Sequence, residues 1–178
     1  MTLANAAELR TTLSGPRALG RVFARHAYGM RCWVDEIGRK LASFEEPEAK
    51  ALAARLVGDN ARHMLLFRER SVALGVDADA YRAPEEGEAI YDRLRELTDP
   101  VAIAAFALGS LDHFGELLDV YGSAADGENA RVIERVAADV EEHRALLRSL
   151  LADRGGEPRR EAERLYESRE LVEVGLYG

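Results

Sequence analysis

The sequence predicts an all-α fold: an antiparallel four-helix bundle with one long crossover between the second and third long helices, plus a short C-terminal helix. Apolar residues recur at three- and four-residue intervals almost throughout, and no segment alternates apolar and polar with a period of two. Turn-forming stretches divide the chain into four long periodic segments. The connections between them run short, long, short, and the long one spans roughly 22 residues after Val76. Short turns make neighbouring helices antiparallel, whereas a connection of that length lets the third helix run parallel to the second.

Each element follows from its residues. SGP at 14–16 stops a weak N-terminal segment, and Pro16 suits the first turn of a helix. That first long helix carries Leu19, Val22, Phe23, His26, Met30, Trp33 and Ile37 on one stripe, to about Ala42. SFEEPE turns the chain and puts Pro47 early in the second helix, whose stripe of Ala53, Leu56, Asn60, His63 and Phe67 ends near Gly75. The crossover holds at most a short helix, at 88–97. TDP at 98–100 is a cap signal for the third helix, with Ile103, Phe106, Ser110, Phe114 and Tyr121 inward. After GSAADGEN, the fourth helix shows Ile133, Val136, Val140, His143 and Leu147 until RGGEP at 154–158. A polar segment, RREAERLYESRELV, makes a small fifth helix. One domain spans 1–178, with a bundle core at 17–152 and an extension at 153–178.

The chain has 24 basic and 32 acidic residues, a formal charge of −8. That balance argues against a nucleic-acid surface, which needs a basic stripe, and against adsorption to anionic lipid. No run of about 18 apolar residues is present, so no membrane span is expected. The start, MTLANAAELRTTL, lacks the basic and apolar regions of a signal peptide, which makes the cytoplasm the expected location. Cys32 is the only cysteine, which rules out an internal disulfide and a cysteine-based zinc cluster.

Two stretches, DNARH at 59–63 and DVEEH at 139–143, each place an aspartate four residues before a histidine, 80 residues apart. A second faint repeat, VDEIGRKL at 34–41 and LDHFGELL at 111–118, is offset by 77. Two tandem αα-hairpins give this pattern, with Gly38 and Gly115 able to admit a close neighbour helix. Residues 17–152 resemble the ferritin-like superfamily, nearest in size to its rubrerythrin-type members. The resemblance implies such a duplication, a homodimer, and oxygen-dependent oxidation at a di-iron centre, with a Glu from one helix and a Glu-x-x-His from the next in each hairpin. This sequence keeps the histidine places but not the glutamates: Asn60 stands three residues before His63, Val140 three before His143, and helix three offers Phe106, Ala107 and Leu108.

Counting outward from the two short turns puts His26, His63 and His143 at one level. Residues four apart share a helix face, so Asp59 and Asp139 can serve as replacement carboxylates beside His63 and His143. A histidine-rich centre of His26, His63, His143, Asp59, Asp139 and Asn60 would suit iron, with manganese or zinc as lesser alternatives. The alternative is a relict network holding no metal, in a non-catalytic bundle that serves as an interaction module or takes a small molecule in an apolar pocket. Nothing in the residues identifies a substrate. Asp35 and Asp112 read as structural, His113 as surface or interface, and Glu141, Glu142 and Arg144 as a solvated face. Ser110 reads as a small core residue, and a Cys32–His26 nucleophile is discounted because the two face differently. Tyr81, Pro84 and Tyr91 would clamp the crossover or meet a second subunit. The apolar tail LVEVGLYG at 171–178 would dock on the bundle or on a partner, in the manner of cargo ferritins of protein nanocompartments.

Overall fold

The computed structural model describes residues 6–15, 17–79, 81–83, 88–152, 154 and 156–177, with side chains described from Ala7 to Tyr166; Pro16, Pro84 and the side chains of the 171–178 tail lie outside them. Among the described residues the chain is all-helical and contains no strand. The α-helices are α1 (Ala6–Leu13), α2 (Ala18–Lys40), α3 (Pro47–Ala73), α4 (Ala89–Glu96), α5 (Pro100–Ala124), α6 (Gly127–Leu151) and α7 (Gly156–Tyr177). A 3-10 turn, Leu41–Ser43, lies between α2 and α3.

The stop and start signals act as the sequence implies. Asp99 caps α5 by accepting from the Ala102 amide at 2.9 Å, and Pro100 and Pro47 occupy the first turns of α5 and α3. Gly75 takes the left-handed conformation, φ +73°, just past the end of α3. The crossover holds α4, whose Ile90 and Leu94 sink against Ile37 and Phe44. Lys40 donates to the carbonyls of Arg95 and Leu97, at 2.9 and 2.8 Å, and so satisfies acceptors at the end of α4 that have no helical partner. Tyr81, 4.9 Å from Tyr28 and over the Arg25 guanidinium, hydrogen-bonds Glu88, so this stretch of the crossover is clamped from within the chain.

The core extends along the helices. Phe23, Phe67, Tyr121 and Val136 fill one end, and toward the other Phe44, Ile90, Leu94 and Phe106 form one cluster and Leu56, Ala105 and Leu147 a second. Where α3 meets α6 the two helices run in opposite directions. Arg55 reaches Glu142, Asp59 reaches His143, His63 reaches Asp139 and Arg70 reaches Asn129, so the partner number falls overall, from 142 to 129, as the α3 number rises from 55 to 70.

The C-terminal helix differs most from expectation. It is 22 residues long rather than small, and it packs along α5. Gly109 makes this possible, because a Cβ there would overlap the Arg159 carbonyl oxygen and press on Ala162. By contrast Gly38, expected to admit a close neighbour, has open space around it. Helix α5 is apolar enough by length and composition to cross a bilayer, with mean hydropathy 1.4, and 67% of that window is buried within the molecule. Covering by other helices on more than one side accounts for its composition, since a helix buried all round needs no polar face.

Candidate functional site

Four of the six residues expected at a metal centre meet between α3 and α6, but as crossed pairs. His63 Nε2 lies 2.8 Å from Asp139 Oδ2, and His143 Nε2 lies 2.7 Å from Asp59 Oδ2. The aspartate on each helix therefore serves the histidine of the other. Arg62 sits over both, with one guanidinium nitrogen 2.7 Å from Asp59 and another 2.8 Å from Asp139. Arg55 adds a longer contact to Asp59 at 3.5 Å and pairs with Glu142. Both imidazoles are buried, whereas Arg62 is 40% exposed and closes the layer from the solvent side.

The charges follow from this geometry. Burial alone would raise the Asp59 and Asp139 carboxyls, yet the imidazole hydrogen bonds and the Arg62 guanidinium hold both below the usual carboxylate range. Burial pulls the His63 imidazole below its ordinary value, against the opposing pull of Asp139. At neutral pH His63 is thus an uncharged N–H donor to Asp139, and Arg62 carries the positive charge.

His26 and Asn60 make their bonds elsewhere. His26 Nε2 is 2.8 Å from the Tyr121 hydroxyl, with its ring 5.1 Å from that of Phe114. The Asn60 amide donates to the Leu56 carbonyl at 2.8 Å. Among the described residues no group of three or more His, Cys, Asp or Glu side chains is arranged to hold a metal ion.

Beside this layer lies a cavity of about 70 Å³ between α2, α3 and α5, with α4 and α7 contributing one residue each, Tyr91 and Tyr166. Its wall is mainly apolar, with Met30, Trp33, Leu56, Ala107 and Phe114, and polar side chains such as Asn60, Ser110 and His113 join the imidazole of His26 and the charged Arg25. Ser110 is the small buried residue the sequence implies, its hydroxyl donating to the Phe106 carbonyl at 2.9 Å.

His113 corrects the expectation of a surface position. It is 1% exposed and stacks on Tyr166 at 4.8 Å, and burial pushes its imidazole down to about 4. The neighbouring Asp112 is structural, as expected: its carboxylate accepts from Arg144 and Arg148 on α6, both at 2.8 Å, and from Arg159 on α7 at 2.6 Å. Arg144 is accordingly half-buried, while Glu141 and Glu142 are solvated. Asp35 is exposed. Sequence reasoning missed the α7 wall, and its signal was the stripe of Ala162, Leu165 and Tyr166 opposite the small residues Gly109 and Ser110.

The chain matches no family model, no curated protein and no solved structure.

Proposed function

We propose that this chain is a non-catalytic helical bundle of ferritin-like connectivity, in which crossed Asp–His pairs stand where a metal centre would be and the central cavity binds a small molecule. Two short turns, one long crossover and the opposed directions of α3 and α6 support the antiparallel four-helix arrangement, with α7 added along α5. The observation that carries the reading is the pairing of His63 with Asp139 and of His143 with Asp59 beneath Arg62. The guanidinium already supplies the positive charge a metal ion would bring to these carboxylates, and both Nε2 atoms are committed to hydrogen bonds. The residues therefore do not fit iron, manganese or zinc in this arrangement. Phe106 and Val140, where the resemblance implies glutamates, are packed into the core. A few polar groups in an otherwise apolar wall are what a small-molecule site requires. The proposal includes a cytoplasmic homodimer, which rests on the resemblance and on the sequence alone.

Metal analysis by plasma mass spectrometry tests this, on protein purified without an affinity tag and loaded anaerobically with iron. Substoichiometric metal is expected. One iron, manganese or zinc per chain, lost in both His63→Ala and His143→Ala, would instead make the layer a metal centre and oxidation the next reaction to assay.

A further inference from the structure

We propose that the central cavity takes a small, uncharged aromatic molecule carrying one O–H or N–H donor, of the phenol type, with Tyr166 of α7 as the wall that yields. This rests on the reading of the chain as a small-molecule-binding module. Three properties of the lining define the ligand.

The first is shape. Aromatic rings of Trp33, Tyr91, Phe114 and Tyr166 border the space, together with the imidazoles of His26 and His113. Rings pack against rings edge-on or offset with a gain beyond area burial, so a flat aromatic guest suits this wall better than an alkyl chain. About 70 Å³ holds a few waters, whereas a benzene-sized guest needs about 150 Å³, so one side must give. Tyr166 is that side: it is only partly buried, belongs to the C-terminal helix, and is held there by its stack on His113.

The second is charge. Arg25 is the one Arg, Lys, Asp or Glu among the lining residues, and it lies 3.5 Å from Glu88, the two side chains being 3% and 2% exposed. His113 is uncharged at neutral pH. A charged guest would lose its hydration without finding a net opposite charge, which favours a neutral one.

The third is hydrogen-bond polarity. The Ser110 hydroxyl already donates its hydrogen bond to the Phe106 carbonyl, and the Asn60 amide donates to the Leu56 carbonyl. What these two residues retain is acceptor capacity, in the hydroxyl lone pairs and the side-chain carbonyl. A guest group that meets Ser110 and Asn60 must therefore donate to them.

Trp33 is the only tryptophan of the chain and lines the cavity, so its fluorescence reports occupancy directly. The test titrates the full chain with phenol, toluene and benzoate at pH 7. Phenol should change the Trp33 signal saturably at one per chain and raise the Tm. It should bind roughly five- to tenfold tighter than toluene, the ratio one net hydrogen bond supplies, and tighter still than benzoate. Ser110→Ala should remove much of that ratio without changing toluene affinity. Ala107→Leu, which fills the space, should abolish binding. Because that variant risks misfolding, Tyr166→Ala is measured alongside and should tighten phenol by enlarging the cavity. Phenol binding no better than toluene or benzoate overturns the ligand class while leaving the binding-module reading intact. No saturable response to any of the three overturns both. Phenol binding unchanged in a folded Ala107→Leu, or in Tyr166→Ala, overturns the location.

Discussion

Acidification should loosen this molecule through His113 well before its carboxylates are protonated. The imidazole is 1% exposed and its folded value lies at about 4, against 6.5 in the unfolded chain. Between those values the unfolded chain binds a proton that the native state refuses. The contribution is therefore complete above the unfolded value and declines as pH falls from 6.5 towards 4. A shift of that size corresponds to about 3 kcal/mol, of which about 2 is lost by pH 5. For a domain with a stability of about 5–15 kcal/mol that is a large share. Urea unfolding at pH 7, 6 and 5 measures it, with His113→Phe as the variant that keeps a ring against Tyr166 but cannot titrate. His63 is also held below its ordinary value, so the wild type should lose more than His113 alone accounts for. Asp59 and Asp139 are held low instead, so their contribution is kept until below pH 4, outside this range. The readout is the slope with pH, not the absolute stability of the variant. If His113→Phe loses as much stability as the wild type between pH 7 and 5, the assignment to His113 is wrong.

Further substitutions address separate parts of the fold. Gly109→Ala should push α7 off α5, costing about 1–3 kcal/mol by overpacking, and hydrogen exchange in α7 should rise while that in α3 and α6 stays slow. Arg62→Met leaves two carboxylates without their shared cation. Because the guanidinium is 40% exposed, the cost at pH 7 is about 1 kcal/mol, but acid unfolding should move to higher pH as both carboxyl values rise. Phe67→Ala removes a fully buried ring packed 5.0 Å from Phe23 and should cost about 3–5 kcal/mol in chemical denaturation, well above the partly exposed Arg62→Met.

Helix limits were legible because they depend on local chemistry. Asp99 with Pro100, Pro47 and Gly75 act within a few residues of their positions in sequence, and each sets a boundary as read. The convergence of Asp59, His63, Asp139 and His143 was legible too, since residues four apart share a face and the two stretches occupy matched levels. Their bonding was not. Spacing within one helix suggests that Asp59 serves His63, whereas opposed helices bring Asp59 to His143 and Asp139 to His63. Only knowledge of the neighbouring helix gives that, and Arg62, one residue before His63, carries no spacing signal of its own. His113 was misjudged for a related reason. Its face of α5 is covered by Tyr166, more than fifty residues later in the chain, and a reading confined to four helices leaves that face bare.

The close seat of α7 on α5 has a consequence for incomplete chains. Synthesis delivers the N-terminal helices first and α7 last. Until it docks, α5 presents Gly109, His113 and the adjoining apolar surface to solvent, on a helix whose mean hydropathy of 1.4 would suit a bilayer. The carboxylate of Asp112 meanwhile lacks its third guanidinium, that of Arg159. A product ending before Gly156 would keep every core helix and still expose a contiguous apolar face, the kind of patch that drives self-association. By covering that face α7 guards against self-association, and early termination or C-terminal proteolysis should leave a folded but aggregation-prone bundle.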